Sequence, residues 1–172
     1  MQSTNQSFED GTFPEDDGWS ISFSYAPNFN RHHRGLQDPP RFEWHVSNRE
    51  AEEGIYSIKT PEPLGGGFLG EYKLIFTTPL DWPDGFLHFS ILSDLAGFSE
   101  DRDWSEVLKW YVDGAYAGNA TDTNQEWESF SVYLEPGQHE VTWECTFNAP
   151  SGSGYSGPGD AFLDTVYFVP SN

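Results

Sequence analysis

The sequence predicts an all-β protein, built as a sandwich of two sheets of short strands. Aromatic residues, which favour strands, make up 17% of the 172 residues. The 17 Gly and 12 Pro break the chain at short intervals, and no long apolar repeat of helical period is present. Many short strands between turn signals are typical of a β-sandwich. At this length we expect a single domain over residues 1–172 with a proper core.

Short segments in which apolar and polar residues alternate are interpreted as half-buried strands. The first clear example is 19–25, where Trp19, Ile21 and the aromatic residues that follow share one face. Further strands are predicted at 44–46, 54–59, 72–77, 86–92, 107–112, 116–118, 127–134, 140–147 and 160–168. The segments 26–40 and 93–106 are predicted to be long loops, and no helix is expected.

The strand predicted at 140–147 is expected to face the core with every second residue. Trp143 and Cys145 lie on that apolar face. Trp19 and Trp110 have similar apolar neighbours and are assigned to the core as well. Cys145 is the only cysteine, so the chain forms no internal disulfide, and a buried structural thiol is predicted.

The last predicted strand, 160–168, carries a carboxylate in an unexpected place. On strict alternation Asp164 shares a face with Phe162, Val166 and Phe168. Burying a carboxylate among apolar residues is unfavourable unless the group is paired, hydrogen-bonded or bound to a metal. Asp164 is therefore the strongest indication of a functional site in the sequence.

The chain is strongly acidic, with 28 acidic against 8 basic side chains and a formal charge of -20. Nucleic acid is excluded as a partner because phosphate binding needs a basic surface. The acidity has two explanations: solubility in a salty or extracellular setting, or carboxylates that converge on a hard cation such as Ca²⁺. No apolar run is long enough to span a membrane, so direct membrane insertion is not expected.

Four segments, in order along the chain, resemble those of jelly-roll carbohydrate-binding modules and of the MAM domains of cell-surface receptors. They are Phe8-Glu9-Asp10-Gly11 with Gly18-Trp19, the segment 53–59, the segment 110–114, and the segment 159–168. The resemblance implies a two-sheet antiparallel jelly roll with few or no helices and neighbouring first and last strands. It also implies an extracellular or cell-surface location.

The resemblance further implies a structural cation near the pairing of the first and last strands. Carried over to this chain, its ligands are Glu9, the Glu53–Gly54 region and Asp164, with Asp160 as a further candidate. Ca²⁺ suits a set of oxygen ligands from separate strands and loops. A carboxylate held only by hydrogen bonds is the alternative for Asp164.

The chain departs from the family pattern at three places. Thr165 replaces the second residue of a doubled Asp, and the segments 26–40 and 94–106 are longer than the pattern needs. Individual function is expected in such loops. The acidic loop predicts either a solvated surface or a second Ca²⁺ site, with candidate ligands Glu100, Asp101, Asp103 and Glu106.

Three aromatic residues in loops or beside polar residues are candidates for stacking on sugar rings. They are Trp104, Trp127 and Tyr155. Asp, Asn, Gln or Arg residues flank both tryptophans and could hydrogen-bond sugar hydroxyls. For each of the three, packing at the core or its rim is the alternative.

Catalysis is not predicted. A glycosidase needs two carboxylates across the scissile bond, and the E-x-D-x-x-E spacing of jelly-roll glucanases is absent, as are Ser/His/Asp and phosphate-loop signatures. We expect a non-catalytic, calcium-binding module excised from a longer extracellular protein, with a glycan as partner. The alternative is adhesion to another extracellular protein, or matrix or filament assembly, and a glycoside hydrolase is the least favoured reading.

Overall fold

The structure is a computed structural model, which describes the strands of the chain and part of its connections. The described residues are 5–6, 17–25, 44–52, 54, 56–61, 68–95, 97–99, 104–149 and 160–171. At residues 5–6, 23–25, 68–70, 97–99, 104–106 and 147–149 the description is of the backbone alone.

Twelve strands follow one another along the described chain. They are β1 (Asn5–Gln6), β2 (Trp19–Tyr25), β3 (His45–Ser47), β4 (Ser57–Lys59), β5 (Phe68–Thr77), β6 (Gly85–Ser93), β7 (Gly97–Ser99), β8 (Trp104–Val112), β9 (Ala115–Ala120), β10 (Glu128–Leu134), β11 (Glu140–Ala149) and β12 (Ala161–Pro170). Each predicted strand overlaps one of these. The prediction of one long loop over 93–106 was wrong, since β7 and the start of β8 lie within it. Within the described ranges, no helix has the length and apolar character to cross a membrane.

The strands form two six-stranded sheets, in which every described strand pair is antiparallel. Sheet I has the order β10-β6-β12-β4-β3, and β1 also pairs with β12. Sheet II has the order β2-β5-β11-β8-β7, and β9 also pairs with β8. The predicted all-β, two-sheet antiparallel jelly roll is therefore confirmed. The first and last strands are neighbours, with Asn5 opposite Tyr167.

The core between the sheets is built on aromatic contacts. Trp143 of sheet II packs edge-on against Phe89 of sheet I, with ring centroids 5.2 Å apart. Trp19 stacks on Trp143 at 5.6 Å, and Trp110 also meets Phe89. Edge-to-face and offset-stacked pairs are the favourable aromatic geometries. The assignment of Trp19, Trp110, Trp143 and Cys145 to the core is confirmed, because all four are buried.

The alternation expected for β12 is broken by a bulge. The register against β6 shifts between Asp164 and Tyr167, and Thr165 has a positive φ of 51°, which is rare for a β-branched residue. As a result Val166 and Phe168 join the core cluster, whereas Asp164 lies on the outer face of sheet I. The prediction that Asp164 shares a face with Val166 and Phe168 was wrong.

Two turns at one end of the sandwich are joined by a histidine–carboxylate pair. His139 Nδ1 lies 2.6 Å from Asp113 Oδ2, and His139 Nε2 lies 2.8 Å from the carbonyl oxygen of Glu135. Hydrogen bonding to Asp113 raises the pKa of His139. The backbone N–H of Glu140, followed by His139, lowers the pKa of Asp113.

We expect the contribution of this pair to depend on pH. Because the folded pKa of His139 is raised, its stabilisation is complete below the usual imidazole pKa and is lost as the pH rises through the folded value. The Asp113 contribution is lost as the pH falls through its lowered pKa. His139→Gln should therefore lower the melting temperature more at about pH 5.5 than at about pH 8.5. Equal losses at the two pH values would show that the ionised pair is unimportant.

Gly118 is predicted to tolerate no side chain. A Cβ atom there would lie 2.4 Å from Cζ2 of Trp110, so Gly118→Ala should lower the free energy of unfolding by about 1–3 kcal/mol through overpacking. Urea unfolding followed by tryptophan fluorescence measures the loss. Ala117→Ser, at an exposed position of the same strand, is the control and should be nearly neutral. Equal midpoints for the two variants would contradict the predicted clash.

Candidate functional site

An aromatic patch lies on the outer face of sheet I, formed by Phe86, His88, Tyr133 and Tyr167. Three neighbouring strands supply it, because alternate residues of β6, β10 and β12 point away from the core. The rings of Phe86 and Tyr133 are 5.3 Å apart, and those of His88 and Tyr167 stack at 4.9 Å. Phe86 and His88 are 6.3 Å apart and join the two pairs.

The patch is open to solvent at one end. Phe86 is 44% exposed and Tyr133 46%, and Val169 beside them is 42% exposed. The Tyr133 hydroxyl donates a hydrogen bond to Asp84 Oδ2 at 3.1 Å. Desolvation, followed by this contact with Asp84, raises the pKa of Tyr133. An exposed apolar surface with a polar edge is typical of a ligand-binding or partner-binding surface.

Asp164 lies in the middle of the same face and is only 3% exposed. Its Oδ2 accepts a hydrogen bond of 2.8 Å from the backbone N–H of Glu52, and its Oδ1 accepts one of 2.7 Å from the N–H of Thr165. The predicted burial of this carboxylate is confirmed. The Thr165 hydroxyl is also buried and has no hydrogen-bond partner within the described part of the chain.

The predicted cation ligands are placed in part by the structure. The Glu52 contact brings the segment that leads to Gly54 next to Asp164, and Gly54 has a positive φ of 71°. Glu9 and Glu53 lie outside the described residues. Of the residues that are described, no three His, Cys, Asp or Glu side chains are grouped so that they could hold a metal. The cation site stays a prediction.

Asp160, the further candidate ligand, is surrounded by cations. Its Oδ1 lies 3.0 Å from Lys59 Nζ, and its Oδ2 lies 2.5 Å from Arg49 Nη1. Its backbone N–H donates to the carboxylate of Asp94. Lys59 is 1% exposed, so the described contacts of Asp160 compensate a buried ammonium group. Its role as a metal ligand likewise stays a prediction.

The other predicted ligand residues are dispersed. Trp127 is half-buried just before β10, and Trp104 begins β8 in sheet II, where only its backbone is described. Tyr155 lies outside the described residues. Of the second acidic site, Glu106 is a backbone-described residue of β8 opposite Phe147, and the others lie outside the described residues: Glu100, Asp101 and Asp103.

Sequence reasoning missed the aromatic patch. Alternation in the run 86–92 places the apolar Leu87, Phe89 and Ile91 on one face. Phe86 falls on the other face with His88 and Ser90, but alternation does not show which residues of neighbouring strands lie beside it. The position of Tyr133 opposite Phe86 depends on strand pairing. One signal in the sequence could have revealed the patch: the predicted strands carry further aromatic residues besides those assigned to the core.

No protein-family model matches this chain, and no curated protein matches it either. Similarity is found among solved structures. The chain is similar to TmCBM61 in complex with beta-1,4-galactotriose, with 14% identity, TM-score 0.53, and coverage of 96% of this chain and 94% of that one. It is similar to the K1 cleaved adhesin domain of Lys-gingipain from Porphyromonas gingivalis W83, with 18% identity, TM-score 0.59 and full coverage of both chains.

A third similar structure was described for the promiscuous specificity of carbohydrate-binding modules of the β-sandwich superfamily. It has 15% identity and a TM-score of 0.55, and the match covers 97% of this chain and 61% of that one. This chain has the fold of a jelly-roll carbohydrate-binding module. At these identities the likeness concerns the fold.

The contacts of Asp160 predict that removing its charge is more destabilising than removing the charge of Lys59. Asp160→Asn should lower the free energy of unfolding by about 3 kcal/mol, because the buried Lys59 ammonium loses the Asp160 carboxylate that lies 3.0 Å away. Lys59→Met should cost about 1 kcal/mol or less, since Arg49 still accompanies Asp160.

The double variant Lys59→Met/Asp160→Asn provides the control for this pair. It should be more stable than Asp160→Asn alone, because the buried charge is removed together with its partner. Urea unfolding measures all three variants. If Asp160→Asn costs no more than Lys59→Met, the proposed dependence of Lys59 on Asp160 is wrong.

Proposed function

We propose that this protein is a non-catalytic carbohydrate-binding domain, whose aromatic patch on sheet I contacts sugar rings. The observation that carries the proposal is the exposure of Phe86 and Tyr133 on a sheet face, next to the Asp84 carboxylate. The fold shared with carbohydrate-binding modules supports it.

The chemistry of the patch matches that of a sugar. A sugar ring has apolar C–H faces and a rim of hydroxyl groups, so it needs an apolar surface with polar groups beside it. The rings of Phe86 and Tyr133 offer the apolar surface, and Asp84 and the Tyr133 hydroxyl offer acceptors and a donor. Both exposed rings belong to paired strands, so little conformational entropy is lost when a ligand binds.

The same geometry supports binding without catalysis. Hydrolysis of a glycosidic bond needs two carboxyl groups on opposite sides of that bond. Of the two described carboxylates that act on Tyr133, Asp84 accepts a hydrogen bond from its hydroxyl and Glu135 acts through its charge, so both belong to one end of the patch. The formal charge of -20 supports solubility outside the cell, and we propose an extracellular or cell-surface setting with a glycan as partner.

The patch variants Phe86→Ala and Tyr133→Ala test this function. Affinity electrophoresis and calorimetry with a panel of neutral polysaccharides and oligosaccharides, including β-1,4-galactotriose, should show binding by the wild type. Each variant should bind about tenfold more weakly or worse, since burial of an aromatic surface is lost. The melting temperatures should change little, because both rings are exposed.

Tyr116→Ala is the matched control, because Tyr116 is also an exposed tyrosine, at 58%, and lies on sheet II. It should leave glycan affinity unchanged. Wild-type protein that retains no glycan of the panel would overturn the carbohydrate proposal. Adhesion to another extracellular protein would then be the leading hypothesis.

We also propose that Asp164 helps to hold a structural Ca²⁺. Its buried carboxylate and the unpartnered Thr165 hydroxyl beside it are oxygen donors of the kind that Ca²⁺ prefers. Glu9, Glu53 and Gly54 are the further proposed ligands. Bound Ca²⁺ would supply positive charge to the buried Asp164 carboxylate and stabilise the pairing of β1 with β12.

Thermal unfolding after chelation tests the Ca²⁺ proposal. Free Ca²⁺ at about 100 times its Kd should raise the melting temperature by about 5 °C or more, and Mg²⁺ should not. The rise should disappear in Asp164→Asn and Glu9→Gln, and persist in Glu128→Gln, an exposed carboxylate of β10. A melting temperature that ignores Ca²⁺ would leave Asp164 as a hydrogen-bonded acid.

A further inference from the structure

A separate site lies at the other end of the outer face of sheet I. It is an open pocket of about 370 Å³. Leu92 of β6 and Phe162 of β12 face each other across the sheet and line its floor. Leu92 is half-buried and Phe162 is 4% exposed. The floor is therefore apolar and joins two central strands of the sheet.

The walls of the pocket carry both hydrogen-bond donors and hydrogen-bond acceptors. Arg49 and Gln125 supply N–H donors, and Glu50 and Asp94 supply carboxylate acceptors. Asp160 also lines the pocket, but its charge is compensated by Lys59 and Arg49. Apolar floor, donors and acceptors together resemble the lining of a small-molecule site.

The walls are held in place before any ligand binds. The backbone N–H of Thr123 donates to the carbonyl oxygen of Ser93 at 2.8 Å, and the Thr123 hydroxyl accepts from the N–H of Ser93 at 3.0 Å. This anchor holds a turn in which Asn124 and Gln125 have positive φ values of 54° and 63°. The N–H of Glu126 donates to the carbonyl oxygen of Thr123 at 3.1 Å and closes this turn.

The opposite wall is anchored through Asp160. Asp94 donates its backbone N–H to the Asp160 carbonyl oxygen at 3.0 Å, and the Asp94 carboxylate accepts from the Asp160 N–H. Arg49 is fixed by its 2.5 Å contact with Asp160. A pre-organised pocket binds a ligand with a small entropic penalty.

The pocket is separated from the aromatic patch by chain that covers the middle of the face. Ser90 and Asp164, which lie between the two sites on β6 and β12, are 4% and 3% exposed, and the backbone of Glu52 contacts Asp164. Phe86 and Leu92 are six residues apart on one strand, which corresponds to about 20 Å. A ligand in the pocket therefore does not extend along the sheet to the patch.

We infer that this pocket is a second carbohydrate subsite, which takes the terminal unit of a neutral glycan. The inference rests on the proposed carbohydrate-binding function. The covered middle of the face favours a chain end over an internal unit. The charged side chains at this site, Lys59, Arg49, Glu50, Asp94 and Asp160, carry three formal negative and two formal positive charges. The net negative charge disfavours uronic acids and sulfated sugars. Hydroxyl groups can donate to these carboxylates and accept from Arg49 and Gln125.

Titration of ¹⁵N-labelled protein with galactose, glucose, mannose and xylose tests the inference. At least one neutral sugar should give saturable shifts of the backbone amides of Asp94, Gln125 and Asp160. Galacturonic acid should bind at least several-fold more weakly than galactose. Gln125→Ala and Glu50→Ala should each raise Kd about tenfold or more, as expected for the loss of a hydrogen bond.

Two control variants lie outside both proposed sites. Glu126→Ala changes an exposed neighbour of Gln125, and Tyr116→Ala changes an exposed residue of sheet II; both should leave monosaccharide affinity unchanged. If an oligosaccharide shifts the amide signals of Phe86 and Tyr133 but not those of the pocket, the pocket is not a carbohydrate subsite. The proposed function would then still stand. Absence of shifts at both places would overturn both. Equal affinity for galacturonic acid and galactose would overturn the preference for neutral sugars.

Discussion

The bulge at Asp164 and Thr165 is the constraint on which the arrangement of sheet I depends. The extra residue in β12 reverses the alternation along the strand. Leu163 on one side and Val166 on the other can both enter the core, while Asp164 stays outside. An unbroken strand would place either Leu163 or Val166 on the outer face. The positive φ of Thr165 is the local backbone conformation that allows residues on both sides of the bulge to face the core.

The buried charges of this acidic chain are compensated locally. Asp164 accepts hydrogen bonds from backbone N–H groups, and Lys59 faces the carboxylate of Asp160. Uncompensated charges at these depths would be strongly destabilising. As a consequence the outer face of sheet I has three zones: the aromatic patch, a covered polar centre around Asp164, and the polar pocket above Leu92 and Phe162. The patch and the pocket remain accessible to ligands.

Aromatic residues serve two separate purposes in this fold. Phe89 and Trp143 join the sheets in the core, whereas Phe86, three residues before Phe89 on the same strand, is exposed on the patch. The high aromatic content indicated strands and a core correctly. It did not separate the two populations, since aromatic content does not show which face of a strand a ring occupies. The pairing of β6 with β10 brings Tyr133 beside Phe86, and this pairing creates the exposed aromatic patch.

By itself, the sequence determined the β-sandwich class, the approximate positions of most strands and the aromatic core. These follow from alternation and turn residues, which act over a few neighbouring positions. Only the tertiary structure decided which face Asp164 occupies, that Asp160 compensates Lys59, and that Arg49, Asp94 and Gln125 share a pocket. Those features depend on strand register, on one bulge and on contacts between residues as far apart as Arg49 and Asp160. Local patterns carry no information about such pairings, because each is created only when the sheets assemble.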